Sequence, residues 1–273
     1  MTYKSILLNL NIDGMVAPVI QLGVDLGRRF DARLIGFSAA DVPPPVMMDG
    51  GVGFGGESTV RQLKNIERRL EDRRAEFKSL IGTTVETEWR GAVGNPTSLL
   101  IDSACMADLI VTAPPEVVSS GDVHRSADLG NLILQAGRPV FVASTNQQSS
   151  RLNKVLVGWK DTREARRAIV DAMPFLQLAQ EVHVITIDDD ATDETWTSLN
   201  DVVAFLSLHD VKAKADVFSE KSDGRSIADV AEAMNADLTI SGAYGHSRFR
   251  EWIFGGATRS LLENDRLNRI MSN

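Results

Sequence analysis

The apolar run Ala107-Asp-Leu-Ile-Val111 returns as Ala236-Asp-Leu-Thr-Ile240, 129 residues later. Upstream, Ser5-Ile-Leu-Leu-Asn-Leu leads to Asn11 and Val155-Leu-Val-Gly-Trp leads to Lys160, a pair 149 residues apart. Solenoid units repeat every 20–50 residues or so, so a repeat of this length reads as two domains of like fold. The two offsets differ by 20 residues, which must be extra in the first copy. They fall in Val42-Pro-Pro-Pro-Val-Met-Met-Asp-Gly-Gly-Val-Gly-Phe-Gly-Gly56, a stretch without helical or strand period that reads as an inserted loop, either a lid or a disordered segment. The polar segment Ser144-Thr-Asn-Gln-Gln-Ser-Ser150 reads as the linker and sets the domains at 1–146 and 152–273. A chain of 273 residues agrees, since domains cluster at about 100–150 residues.

Each half runs strand, helix, strand, helix, strand, helix, strand, helix, with a short final strand. In the second half the strands are expected at Val155–Trp159, Val182–Ile187, Val211–Phe218, Leu238–Ser241 and Arg269–Met271. Helices at Glu164–Leu178, Thr195–Leu208 and Ser226–Met234 lie between them. In the first half, Val60–Phe77 places Leu63, Ile66, Leu70 and Phe77 on one stripe with mixed charges elsewhere, as in an amphipathic surface helix. Val- and Ile-rich strands alternating with helices imply an α/β fold of two doubly wound, parallel, five-stranded sheets in tandem. Ligands on such sheets bind beyond the carboxyl ends of the strands, where the strand order reverses.

Composition narrows the function. With 43% hydrophobic and 24% charged residues the chain reads as globular, and it has no apolar run of membrane-spanning length. The start reads directly into a strand without a signal-peptide pattern, and the single cysteine, Cys105, points to a reducing, cytoplasmic setting. Cys105 itself reads as core filling. A net charge of −8 argues against general nucleic-acid binding, which depends on clustered Lys and Arg. The chain has no His-x3-His or Cys-x2-Cys metal spacing, no G-x-S-x-G elbow and no P-loop, so no catalytic role is expected, the alternatives being an interaction scaffold or slow ATP hydrolysis with Asp188 or Asp189 on a metal. Asp188-Asp-Asp190 reads as a solvated acidic turn before it reads as a Mg²⁺ site, and Trp159 and Trp252 as packing aromatics.

Directly after Ala236–Ile240 comes Gly242-Ala-Tyr-Gly245-His-Ser-Arg-Phe-Arg-Glu-Trp-Ile-Phe-Gly255-Gly256-Ala257-Thr258. Glycine has no side chain to hold a ligand away, so consecutive backbone N–H groups there can converge on an anion. The spacing G-x2-G-x9-G after the ADLTI strand resembles the nucleotide-binding signature of the universal stress protein family, and the resemblance covers the whole chain. It implies a Rossmann-like, adenine nucleotide alpha hydrolase-like fold and an adenine nucleotide, ATP or AMP with or without Mg²⁺, bound in stress signalling without turnover. It also implies pairing of domains through their last strands, here within one chain as a pseudo-dimer, with a homodimer as a further form. In the family the first strand ends in an aspartate near ribose and base, the second strand gives main-chain contacts to adenine, and the glycine loop holds phosphates. Those roles fall here on Lys160, on Ile187, and on Gly242, Gly245, Gly255, Gly256, Ala257 and Thr258. His246 and Arg248, close after Gly245, read either as contacts to a γ-phosphate or as caps of solvent-exposed turns.

Two positions depart from the pattern. Lys160 replaces the aspartate, and a lysine cannot accept a hydrogen bond from a ribose. It either reaches phosphate or pairs with Asp161, Asp188 or Asp189 and closes the site. Gly256 stands where a Ser or Thr is expected, which removes one donor worth about 1.5–3 kcal/mol toward a charged acceptor. The first half departs altogether: its loop reads Ala113-Pro-Pro-Glu116, then Ser126-Ala127 after nine residues. Its prolines have no N–H to donate and Glu116 repels phosphate, so no triphosphate is expected there. The remaining polar residues of that loop, Asp122, His124 and Arg125, read as solvated surface.

Overall fold

The computed structural model of the chain describes residues 2–43, 55–114, 122–145, 151–219, 226–244 and 266–273. The first half runs β1 (Ser5–Asn9), α1 (Ala17–Phe30), β2 (Arg33–Ala40), α2 (Gly55–Ile81), β3 (Thr87–Val93), α3 (Pro96–Ser103), a 3₁₀ turn (Ala104–Met106), β4 (Leu109–Thr112), α4 (Leu129–Gln135) and β5 (Val140–Val142). The second runs β6 (Lys154–Gly158), α5 (Arg163–Asp171), α6 (Met173–Leu176), β7 (Glu181–Ile187), α7 (Asp193–Leu208), β8 (Ala213–Phe218), α8 (Ile227–Ala233), β9 (Leu238–Gly242) and β10 (Arg269–Ser272).

The ten strands form one sheet in the order β3-β2-β1-β4-β5-β10-β9-β6-β7-β8. Each half is parallel throughout, and the halves meet where β5 and β10 run antiparallel, with Val140 opposite Met271, Phe141 opposite Ile270 and Val142 opposite Arg269. The two expected sheets are therefore one, joined through the last strand of each half. Interior strands are buried on both faces, as the unbroken apolar runs require. Ile6, Leu8, Val155, Val157 and Ile270 face α1, α2, α5, α6 and α7. Leu7, Val140, Leu156 and Met271 face α3, α4 and α8.

Local chemistry sets the element ends. The expected helix Glu164–Leu178 is broken at Ala172 because Pro174 lies in the first turn of α6, where its missing N–H is tolerated. Ser226 caps α8 by a reciprocal exchange with Asp229. The amphipathic helix of the first half is longer than its stripe suggested: α2 already begins at Gly55, inside the expected insertion, and residues 44–54 of that insertion lie outside the described residues. Cys105, expected in the core, is exposed on the 3₁₀ turn, where Ala104 takes the inward position.

The seam between the halves is packed as a core. Phe175 of α6 is fully buried and meets three rings of the first half: Phe30 at 5.1 Å edge-on, Tyr3 at 5.6 Å and Phe141 at 5.7 Å. The Tyr3 hydroxyl donates to the Asp171 carbonyl at 2.5 Å. The Ser144 N–H donates to the Asn268 side chain at 2.8 Å, and Arg167 reaches the Gly137 carbonyl at 2.9 Å.

Two predictions follow from this seam. Phe175→Ala should cost about 3–5 kcal/mol, the usual range for a buried Phe, and calorimetry should show one transition at lower temperature for the whole chain; two separated transitions with an unshifted first half would contradict the shared core. The second concerns alkali. Burial, and after it the Asp171 and Asp108 charges, raise the Tyr3 phenol well above its ordinary value. An unfolded tyrosine loses its proton near pH 10 while the folded one keeps it, so the stabilisation is complete below about pH 10 and declines as pH rises. Urea titrations at pH 7 and above 10 should show a shallower alkaline loss in Tyr3→Phe than in the parent chain.

Candidate functional site

The order of strands reverses between β1 and β4 in the first half and between β6 and β9 in the second. The carboxyl ends of these strands define two equivalent crevices, which the chain treats differently.

In the first half the crevice is plugged. Its free volume is about 20 Å³, room for about one water molecule. The Asn9 amide bridges the strand ends to the Thr112 hydroxyl at 3.0 Å. Above them Arg125 makes a two-pronged ion pair with Asp13, at 2.7 and 3.0 Å. Arg69 of α2 pairs with the same carboxylate, and the Asn11 side chain accepts from the Asp13 N–H at 3.0 Å. Arg73 donates to the Ile12 carbonyl at 3.2 Å, and the Asp41 N–H donates to the His124 carbonyl at 2.7 Å. The expectation of a solvated loop at Asp122, His124 and Arg125 is thus corrected: Asp122 accepts from the His124 N–H, and Arg125 is drawn into the crevice by a carboxylate 112 residues away. Arg125 and Asp13 are both mostly shielded from water, a setting in which a two-pronged pair is held firmly. Glu116 lies outside the described residues.

In the second half the rim is described at its strand ends. Lys160, just past β6, is exposed, and its ammonium has no partner among the described residues. The carboxylates expected as its partners are engaged elsewhere: Asp161 with Arg166 at 2.6 Å, Asp188 with the Thr195 hydroxyl at 2.9 Å and the Asp190 N–H at 3.1 Å, and Asp189 with the Ser219 hydroxyl at 2.7 Å. The acidic triplet therefore ties loops together, and no group of three His, Cys, Asp or Glu among the described residues is arranged to hold a metal.

Ile187 is the last residue of β7 and is half-buried against the α8 face of the sheet. The Ile185 carbonyl accepts from Trp159, so its main chain faces β6, and Ile187, two residues on, faces the same way beyond the end of β6 pairing. Its main-chain groups are thus turned toward the rim. Trp159 is packed as expected, nine-tenths buried with its indole N–H donating to Ser198 at 3.0 Å.

At the end of β9, Gly242 has a reason of its own to be glycine. A Cβ there would stand 2.5 Å from the Ala165 nitrogen and 2.6 Å from the Glu164 carbonyl carbon, because the first turn of α5 lies on the strand end. Its φ is not left-handed; that conformation falls two residues later on Tyr244, at φ +64°, which a non-glycine residue adopts at a cost of about 1–2 kcal/mol. Burial, then the Asp128 charge from the cap of α4, push the Tyr244 phenol up to about 12. The start of the second-half loop thus lies within electrostatic reach of a first-half helix. Sequence reading missed Tyr244 and Asp13, since neither belongs to the glycine pattern and the Asp13 partners are distant in sequence. Gly245, His246, Arg248, Gly255, Gly256, Ala257 and Thr258 lie outside the described residues, as does Trp252.

Comparison with known proteins agrees with this architecture. No family model matches the chain. A universal stress protein of Synechocystis sp. is 22% identical over 233 residues, covering 80% of this chain and 79% of the relative. The crystal structure of a universal stress protein from Archaeoglobus fulgidus superposes with a TM-score of 0.70 at 13% identity, covering 98% of this chain and 96% of that one. A second structure, of a putative universal stress protein from Pseudomonas aeruginosa, gives 0.61 at 13% identity, covering 99% and 93%. The chain has the fold of these proteins along nearly its whole length, and the resemblance read from the glycine signature holds across both halves.

Two substitutions probe the crevices. Gly242→Ala should lower stability by about 1–3 kcal/mol, because backbone and not a flexible side chain occupies the space. In the first half, a double-mutant cycle of Asp13→Asn and Arg125→Met in urea should give a coupling energy of at least about 0.5 kcal/mol; additive losses would show that the plug carries no energy.

Proposed function

We propose that this tandem universal stress fold binds one adenine nucleotide, ATP or AMP, in the crevice of its second half, and signals a cytoplasmic stress state through the bound form without turning the nucleotide over. The observation that carries this reading is the asymmetry at the two strand-order reversals. The first-half crevice is filled by its own Arg125–Asp13 pair. The second leads from β9 through a left-handed Tyr244 straight into the glycine series. Strained backbone beside a glycine loop is common at ligand sites, and main-chain N–H groups hold phosphate without help from residue 160.

In this reading Ile187 offers main-chain contacts to the base, Gly245, Gly255, Gly256, Ala257 and Thr258 cradle the phosphates, and His246 and Arg248 reach the terminal phosphate. Lys160, exposed and with no partner among the described residues, turns its cation toward the phosphates instead of accepting from the ribose. Mg²⁺, where present, is carried by the nucleotide.

A nucleotide-free scaffold is the second reading, favoured by one observation: packing against α5 accounts for Gly242 without any ligand. Thermal denaturation separates the two. A nucleotide at about 100 times its dissociation constant adds about 2.7 kcal/mol, so ATP or AMP should raise the midpoint of the parent chain and leave that of Gly245→Glu unmoved. No rise at millimolar ATP, ADP or AMP with Mg²⁺ selects the scaffold. Phosphate release that disappears in Asp188→Asn would overturn the claim that the nucleotide is not turned over.

A further inference from the structure

Both halves cover one face of the sheet with helices, but only in the second half does a groove remain between them among the described residues. In the first half α2 packs across α1, and Phe77 and Ile81 near its end are buried. Phe77 sits so tightly over β2 that a Cβ on Gly36 would meet its ring at 2.8 Å. In the second half the corresponding helices are shorter, α5 ending at Asp171 and α7 at Leu208. A groove of about 650 Å³ runs between them, within the range of about 300–1,000 Å³ typical of small-molecule sites.

The buried side chains Trp159, Ile169 and Val202 form its floor, and the more exposed Val170 and Phe205 its walls. Trp159 stands where the first half has Leu10, one residue before the aligned Asn11 and Lys160. Among the residues that line the groove, charge is one-sided. Arg166 is neutralised by Asp161 at 2.6 Å. Glu194 and Asp201, two turns apart on the groove side of α7, are exposed and have no ion-pair partner among the described residues.

An apolar trough with two uncompensated carboxylates on one wall is complementary to an apolar body carrying a cation. The geometry points to a second ligand site in this groove, taking a small amphiphilic amine or guanidine whose apolar body lies over Trp159, Ile169 and Val202 and whose cation sits by Glu194 and Asp201. The Phe205 ring on the same wall adds attraction for a desolvated cation. The site is independent of the proposed nucleotide, which carries the opposite charge and lies beyond the strand ends.

The test is a titration of the isotopically labelled full chain, without nucleotide and at low ionic strength, followed by amide and indole NMR shifts. 4-Phenylbutylamine is the probe, and 4-phenylbutyrate, with the same body and opposite charge, is the control. The amine should shift the Trp159 indole and the amides of α5 and α7, and should bind at least about tenfold more tightly than the carboxylate. Glu194→Gln with Asp201→Asn should erase that difference at unchanged circular dichroism. Val170→Arg, at a position 55% exposed, should remove amine binding at an unchanged melting temperature. No shifts at millimolar amine, equal binding of the carboxylate, or shifts away from α5 and α7 would each overturn the assignment.

Discussion

The antiparallel pairing of β5 with β10 is the constraint on which the rest of the molecule depends. A parallel β-sheet of five strands ends in an edge of unpaired N–H and C=O groups, which must be covered or paired. Each half here satisfies the last edge of the other, so neither is a free-standing sheet. Because the pairing is antiparallel, the two halves are related as by a two-fold rotation, and the rings of Phe30, Tyr3, Phe141 and Phe175 close over the joint. The outer strands β3 and β8 are left as the edges of the combined sheet, and their exposed charged residues, such as Arg90 and Lys214, oppose further strand addition.

Once two copies share one core, their crevices can diverge without losing the fold. In the first copy an arginine and an aspartate, 112 residues apart, meet where a ligand would lie, and a volume of about 20 Å³ remains. The second copy keeps its glycines, and its lysine is open to solvent. The same divergence acts on the helical layer, where α2 covers its face and α5 and α7 stand apart over Trp159. The Asp128 charge at the cap of α4 adds to burial in raising the Tyr244 phenol at the end of β9.

Much of this was legible in the sequence because the fold is written in patterns of short range. The repeated ADLIV and ADLTI runs are β4 and β9, with Asp108 and Asp237 each tying the start of the neighbouring strand by its carboxylate. Alternating apolar runs and helical stripes gave the second-half strands and helices to within about two residues at most ends. What escaped reading was set by tertiary contacts. Arg125 looked like loop polarity because its partner is in another part of the chain, and Cys105 looked inward because a 3₁₀ turn rotates it outward after α3. Gly242 carried the expected residue type for a different local reason, the close approach of α5, and the left-handed turn fell on a tyrosine that no glycine pattern marks.

The central claim is that one crevice is open to nucleotide and its twin is sealed by the chain itself. Equilibrium dialysis of the intact chain against radiolabelled ATP and AMP measures that directly. The account predicts saturation at one nucleotide per chain; saturation at two, or no retained nucleotide at millimolar concentration, would contradict it.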